Sequence, residues 1–237
     1  MKNIKALLKL DFRLFSPYWY WWLMFFGISL VLGLVNQNGT NIMISLPIFA
    51  ATMTAFPFES GEKSNINMLY AILPTNRKSM VAARYISIGI ILLLSLAVGL
   101  GVGAIIDVAF GNIGTMYHMV MLVSLAIAFA MFAICAGFQT PFFYKMGYKK
   151  GRIFMWLPII IIMLIQLLPL IAGWAGADTN RFYPEYPYPN PYFREFNVFN
   201  LMFRTPLATG LIALGIGLVA LVVSYFASYK IYTKKDL

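Results

Sequence analysis

The chain has 237 residues, of which 61% are hydrophobic and 11% charged, and its mean hydropathy is +0.77. Soluble domains carry roughly a quarter of charged residues, so this composition excludes an ordinary water-soluble protein and indicates a single membrane domain over residues 1–237. The net charge of +10 does not indicate nucleic-acid binding, because the basic residues form short clusters between apolar runs rather than one patch.

The first segment predicts an amphipathic helix over residues 1–16. Its apolar side chains share one helical face and comprise Ile4, Leu7, Leu8, Leu14 and Phe15. Its basic side chains lie elsewhere and comprise Lys2, Lys5, Lys9 and Arg13. Such a helix suits the membrane interface, although Asp11 interrupts the apolar face. No short apolar region is followed by a small-residue cleavage site, so we expect this segment to be retained.

Six apolar segments follow, and each is long enough to cross a bilayer core of roughly 30 Å as a helix. They are Tyr18 to Val35, Ile42 to Phe58, Tyr85 to Ile106, Tyr117 to Gln139, Ile153 to Gly173 and Leu207 to Tyr229. The sequence therefore predicts an all-α polytopic protein with six transmembrane helices. The second segment is the shortest, and we expect Pro47 or Pro57 to kink it or end it early.

The connections between these segments alternate in charge. Four Lys or Arg lie in the N-terminal tail, four in residues 59–84, four in residues 140–152 and three in the C-terminal tail. The connections at Asn36 and Asp107 have none, and the other three basic residues, Arg181, Arg194 and Arg204, lie in the long connection before the last segment. The positive-inside rule therefore predicts that both termini and the two basic connections are cytoplasmic.

Catalytic and metal-binding patterns are missing from the sequence. It has no GxxxxGK[ST] phosphate-binding loop, His118 is its one histidine, and Cys135 is its one cysteine. We therefore expect a chain that is not an enzyme and has no cofactor of its own, with Cys135 as a buried apolar residue. No charged residue lies at the centre of a predicted span, so the energy for any transport should come from outside this chain.

Small and amide side chains in the spans predict contacts between helices. Gly99 and Gly103, extended by Ser95, form a small-xxx-small ridge that allows two helices to approach closely. Gln139 and Gln166 are expected to form interhelical hydrogen bonds.

The connection over residues 59–84 predicts a short amphipathic helix of about residues 62–73. Ile66, Leu69, Ile72 and Leu73 repeat at helical spacing, and Pro74 ends the helix. Glu59 and Glu62 stand near its start and Arg77 and Lys78 just past its end. This arrangement complements the helix dipole, and ordinary solvated charge is an equally good explanation. The apolar face requires either lipid or the groove of a partner protein.

Several stretches of the sequence match one family pattern. The stretches are Phe58-Glu59, Asn67-Met68-Leu69, Leu73-Pro74-Thr75-Asn76-Arg77-Lys78, Ala83-Arg84-Tyr85, Leu10-Asp11-Phe12 near the start, and Ser228 to Leu237 at the end. Together with the predicted span count and orientation, they resemble the permeases of type-two ABC exporters over the whole chain. The sequence departs from many relatives in carrying Arg84 where they have lysine.

The resemblance implies a half-transporter in a prokaryotic plasma membrane, paired with a second permease subunit as a homodimer or heterodimer. A separate cytoplasmic ABC ATPase, which binds ATP and Mg, is expected to dock on the coupling helix. The residues implied in this coupling are Glu62, Ile66, Leu69, Ile72, Leu73, Pro74 and Arg77. Size and layout are similar to small permeases that export phenol-soluble modulins, which are cytolytic amphipathic peptides.

The connection over residues 174–206 is predicted to be external and is rich in proline and aromatic residues. Its candidate gate residues are Phe182, Tyr183, Tyr186, Tyr188, Tyr192 and Phe193. Proline at this density forbids a continuous helix. Two readings remain open, namely an interfacial aromatic belt and a lid over the external exit of a transport path.

The sequence therefore favours an exporter permease for hydrophobic or amphipathic cargo, such as cytolytic or antimicrobial peptides. The alternative is a membrane immunity or sensor protein that binds a peptide antibiotic without moving it, and the aromatic external connection motivates this reading.

Overall fold

A computed structural model describes residues 2–64, 77–114, 117–174 and 206–234 of the chain, with side chains described for residues 5–64, 78–114, 117–156, 160 and 206–234. Every regular element in these ranges is helical, as the sequence predicts. The elements are α1 (Lys2–Phe15), a 3₁₀ turn (Ser16–Tyr18), α2 (Trp19–Val35), α3 (Gly39–Met53), α4 (Phe56–Lys63), α5 (Arg77–Ala109), α6 (Tyr117–Trp174) and α7 (Pro206–Lys234).

Five stretches within the described residues are long and apolar enough to cross a membrane. They are Lys5–Val35, Gly39–Lys63, Lys78–Ala109, Tyr117–Trp156 and Pro206–Lys234. The predicted fifth span, Ile153 to Gly173, falls mostly where side chains are not described. Six spans, and the side of the membrane on which the termini lie, therefore remain predictions.

The second predicted span is interrupted near its end. It consists of α3 and α4, which are separated by a turn at Thr54 and Ala55. Pro47 lies inside α3 without ending it, whereas Pro57 lies in the first turn of α4. A proline is tolerated there because the N–H that it lacks would have no partner within the helix. Pro57, and not Pro47, therefore marks the interruption that the sequence predicts.

Helix α3 is the central helix of the bundle. It packs against α2, α5 and α6, and most of its membrane window is buried. A cluster of side chains joins it to α5 and α6, and consists of Ala50, Ala51, Ile88, Ile91, Leu92, Phe132, Cys135 and Ala136. Cys135 is fully buried in this cluster, as predicted. Helices α2 and α7 instead expose long apolar faces, which is the arrangement expected of helices that contact lipid or a second membrane subunit.

Helix α6 is a hairpin of two arms. The helical path is broken at Gly147, which has φ 76° and ψ 173°. The Nε2 atom of Gln139 donates a hydrogen bond to the Met155 carbonyl at 2.9 Å, and the rings of Phe142 and Phe154 stack with centroids 4.4 Å apart. The two residues of each pair are more than ten positions apart in the sequence, so they can touch only if the arm 148–174 folds back along the arm 117–146.

The hairpin corrects the prediction of a connecting loop over Thr140 to Arg152. Helix occupies this whole stretch, and the reversal is confined to Gly147. A positive φ combined with an extended ψ is accessible to glycine and strongly disfavoured for other residues. The arm 148–174 rises about 40 Å at 1.5 Å per residue, which exceeds a bilayer core of roughly 30 Å.

Helices α3 and α5 cross at glycine residues. A Cβ atom on Gly103 would lie 2.7 Å from the carbonyl oxygen of Gly39 and 2.8 Å from side-chain atoms of Met43. A Cβ on Gly99 would lie 3.4 Å from the Met43 Cα. The two glycines that the sequence predicts as a packing pair thus lie on the face of α5 that contacts α3. The sequence analysis did not identify Gly39, the glycine opposite them.

We expect Gly103→Ala to destabilise the fold by about 1–3 kcal/mol, because a backbone carbonyl cannot move aside as a flexible side chain can. Thermal unfolding of the purified protein in detergent measures this effect. Gly101→Ala is the matched control, since a Cβ there would meet nothing within 4 Å. Equal unfolding temperatures for the two variants would contradict the close approach of α3 and α5.

Candidate functional site

One end of the bundle collects the four basic stretches of the sequence. Contacts there join Asp11 to Arg84, Glu62 to the reversal of α6, and Tyr232 to Met80. We call this region the basic end and define it by α1, α4 and residues 77–87, 140–152 and 228–234. The segment 65–76 lies outside the described residues, but the residues that precede and follow it belong to the basic end.

A buried ion pair fixes α1 to α5. The Nη1 atom of Arg84 lies 3.2 Å from the Oδ1 atom of Asp11, and the Ser87 hydroxyl donates to Asp11 Oδ2 at 3.2 Å. Asp11 is 3% exposed and Arg84 is 8% exposed. Asp11 shares the buried face of α1 with Leu7 and Leu14. The carboxylate that interrupts the apolar face of α1 is therefore the partner of a buried arginine.

Arg84 also contacts an aromatic ring of α4. Its guanidinium carbon lies 4.5 Å from the centroid of the Phe58 ring, which is a cation–π contact. The Phe58 ring packs in turn against Phe143 and Tyr144 of α6, with centroid distances of 5.2 Å in both cases. Arg84 and Phe58 therefore join α4, α5 and α6 at one point of the basic end.

Glu62 caps the second arm of α6. One of its carboxylate oxygens accepts a hydrogen bond from the Tyr148 N–H, and the other accepts one from the Lys149 N–H at 3.2 Å. These are the first N–H groups of the arm, which have no carbonyl partner within their own helix. A negative charge at this position also interacts favourably with the helix dipole. Side-chain caps of this kind contribute about 0.5–2 kcal/mol.

The last turns of α7 are attached to α5. The Tyr85 hydroxyl forms hydrogen bonds with the hydroxyls of Ser224, at 2.5 Å, and Ser228, at 2.9 Å. The Tyr232 hydroxyl lies 3.2 Å from the sulfur of Met80. The end of α7 is thus held against α5, the helix that follows the segment 65–76.

Polar contacts also close the opposite end of the bundle, which we call the neutral end and define by residues 36–39 and 107–114. The Oδ1 atom of Asp107 accepts a hydrogen bond from the Gly39 N–H at 2.6 Å. The Nδ2 atom of Asn112 donates to the Gln37 carbonyl at 2.6 Å. Asp107 is 3% exposed, so this carboxylate is sequestered by the helix start that it caps. The connection between α2 and α3 is thereby held against the end of α5.

The structure describes only part of the predicted site. Among the coupling residues, Glu62 lies in the last turn of α4 and Arg77 is the first residue of α5. The other coupling residues lie outside the described residues, and they are Ile66, Leu69, Ile72, Leu73 and Pro74. The six candidate gate residues also lie outside, and they are Phe182, Tyr183, Tyr186, Tyr188, Tyr192 and Phe193.

Sequence reasoning missed the partners in these contacts. Asp11 was the visible signal, because a carboxylate in an apolar helical face requires a buried counter-charge. Arg84, at the start of a predicted span, was the nearest suitable cation along α5. Gly147, which lies among four basic residues, could have indicated a backbone position with positive φ. The sequence does not indicate which side chain lies beside it.

These contacts fix the positions of the helices relative to one another. Within the described residues, no group of three or more His, Cys, Asp or Glu could hold a metal ion. The buried charges lie at the two ends of the bundle and are held by other helices. An ion pair, a cation–π contact and a helix cap each require a defined position of two elements, so displacement of one element is passed to the other.

The described chain is thus a multi-pass helical membrane protein whose buried charged residues, Asp11, Arg84 and Asp107, lie at the two ends of the bundle. A family model described as ABC-2 family transporter protein matches residues 6–233. Because this match spans nearly the whole chain, the chain belongs to the ABC-2 transporter family, which supplies membrane components of ABC transporters. Membership implies an ABC ATPase partner. No curated protein and no solved structure matches the chain.

The family match confirms the resemblance to ABC-2 type permeases. The closer resemblance to exporters of phenol-soluble modulins stays a prediction.

We expect Asp11→Leu to destabilise the protein by about 3–5 kcal/mol, because it leaves the Arg84 charge buried without its carboxylate. Arg84→Met should cost a similar amount for the converse reason. The double variant should be more stable than the sum of the single effects predicts, since no isolated charge remains. Thermal unfolding of the four proteins in detergent checks this, and strictly additive losses would show that the two side chains are not coupled.

Proposed function

We propose that this chain is a permease subunit of an ATP-driven exporter and pairs with a second permease subunit around a path for hydrophobic or amphipathic cargo. The basic end faces the cytoplasm, and the ATPase acts on the segment 65–76. The observation that carries this proposal is the attachment of both neighbours of that segment to other parts of the bundle.

The attachments give the segment 65–76 a mechanical connection to the membrane helices. It leaves α4, whose residues Phe58 and Glu62 contact α6, and it enters α5, whose Arg84 is bound to α1. A force on the segment therefore reaches α1, α5 and α6 together. This is the property required of a coupling element between an ATPase and a permease.

The positions of the described buried charges support a source of energy for transport outside this chain. The described buried charges Asp11, Arg84 and Asp107 lie towards the helix ends, and each is held by a group of another helix. Ion-coupled carriers generally place ionisable groups within the membrane along the transport path. An ATPase supplies energy without such groups, and it requires this chain to change shape rather than to bind an ion.

The apolar surfaces of the bundle support the class of cargo. On α2 and α7 the outward-facing side chains are almost all aliphatic or aromatic, for example Val31, Leu211, Val223 and Phe226. A path between two such subunits would be lined mainly by apolar groups. This lining suits amphipathic peptides better than sugars or ions.

We expect an ABC ATPase to copurify with the tagged chain, and we expect Leu69→Asp combined with Leu73→Asp to abolish this binding. The two carboxylates would place charge on the predicted apolar face of the segment, where burial against a partner makes them costly. The matched control is Asn67→Asp with Ala71→Asp, which adds equal charge on the opposite face at helical spacing.

The copurification is assayed after expression with the candidate ATPase genes of the same source, and thermal unfolding shows that each variant is folded. Loss of the ATPase from the first variant and retention in the control would support the proposal. Absence of any ATPase from all three proteins would contradict it and would favour a non-transporting binder of peptide antibiotics.

A further inference from the structure

Helix α4 contacts the reversal of α6 in two ways. The Glu62 carboxylate accepts hydrogen bonds from the N–H groups of Tyr148 and Lys149. The Tyr148 side chain packs in a cluster with Ala55, the residue just before α4, and with Phe58 on α4, and it is only 9% exposed. One contact is polar and directional and the other is apolar, so both the position and the rotation of α4 on the reversal are defined.

The backbone of the reversal leaves room for the Glu62 carboxylate at Gly147. At Gly147, a Cβ atom would collide with an oxygen of Glu62, and the positive φ disfavours any side chain there independently. The absence of a side chain lets the carboxylate approach the first N–H groups of the second arm. We call this contact between the Glu62 carboxylate and the backbone at Gly147 to Lys149 the joint. Its two sides come from segments more than eighty residues apart in the sequence.

The other charges near Glu62 do not replace it. Glu59 is engaged with Lys63 one turn along α4, at 2.7 Å between Oε1 and Nζ. Lys63 is largely exposed, whereas Glu59 is mostly buried and interacts with the side chain of Tyr148 rather than with the N–H groups of the second arm. Lys149 contributes its backbone N–H to the joint, and its side chain is exposed. The cap on the second arm therefore depends on the Glu62 carboxylate.

We propose that Glu62 is a positioning residue that locks α4 to the reversal of α6, so that α4 and the reversal move as one coupling unit. In the sequence, the segment 65–76 follows Glu62 after two residues, Lys63 and Ser64. The role of the unit in coupling rests on the proposed function, whereas the joint itself is a property of this chain alone.

Besides the contact of Arg84 with α1, the joint provides a second route by which movement caused by the ATPase can reach the membrane helices. A displacement of α4 turns the start of the second arm, and the Gln139 and Met155 contact passes this movement to the first arm. The first arm packs on α7, where the Ser224 hydroxyl donates to the Gly137 carbonyl at 2.6 Å. Movement that enters at Glu62 therefore reaches α6 and α7, while movement that enters at Arg84 reaches α1 and α5.

The test measures the distance between spin labels on α4 and on the second arm. Labels are placed at Ser64→Cys and Lys150→Cys, both exposed positions, in a Cys135→Ala background that removes the native thiol. With Glu62 present, we expect one narrow distance in the isolated protein. Glu62→Ala should lose this single distance and give a broad distribution, whereas Glu62→Gln, which keeps an acceptor oxygen, should lose less.

The matched control is Lys63→Gln, which removes an exposed charge beside Glu62 and should keep the narrow distance. Gly147→Ala tests the joint from the other side and should broaden the distribution as Glu62→Ala does. Size-exclusion chromatography and thermal unfolding select the variants that remain folded. A narrow and unchanged distance in folded Glu62→Ala or Gly147→Ala would overturn the proposal.

The same labels in the complex with a copurified ATPase test the movement as one unit. The distance should stay narrow and unchanged between the nucleotide-free and the ATP–vanadate-trapped states when Glu62 is present. A change of this distance between the two states would overturn the proposal even if an ATPase binds. If no ATPase copurifies, the proposed function fails. The distances in the isolated protein still test whether Glu62 holds α4 against the reversal of α6.

Discussion

The first N–H groups of a helix have no partner within that helix, so they need acceptors from elsewhere. Within the described residues, two helix starts meet this constraint with a carboxylate from a different helix. Asp107 of α5 accepts the Gly39 N–H at the start of α3, and Glu62 of α4 accepts the first N–H groups of the second arm of α6. Each cap satisfies a helix start and also fixes one helix against another.

The two caps have different surroundings, and this difference separates the two ends of the bundle. At the neutral end, the cap is supported by Asn112 on the Gln37 carbonyl, so the connection between α2 and α3 is held closed. At the basic end, the cap lies beside the Asp11–Arg84 ion pair and next to the segment 65–76. The contacts of the neutral end therefore close one connection between helices, whereas the basic end adjoins the segment on which we propose that the ATPase acts.

The sequence predicted the elements of the fold better than the contacts between them. Long apolar runs determine helices by composition alone, so α2, α5 and α7 lie close to the predicted spans, and Pro57 correctly indicated a break. The loop predicted at Thr140 to Arg152 was wrong, because basic and aromatic residues there are compatible with helix and only Gly147 interrupts it. The partners of Asp11, Glu62 and Asp107 could not be predicted, because each lies on another helix and no sequence period specifies it. Five of the seven coupling residues and all the candidate gate residues lie outside the described residues, so their roles stay predictions.

The measurement that tests this account most directly is amide hydrogen exchange, followed by mass spectrometry, of the chain alone and in complex with its ATPase. The account predicts that binding slows exchange in the segment 65–76 and, together with it, in residues 140–152 at the reversal of α6. Protection of the segment without any change at the reversal would contradict the single coupling unit. Protection confined to the neutral end would contradict the account as a whole.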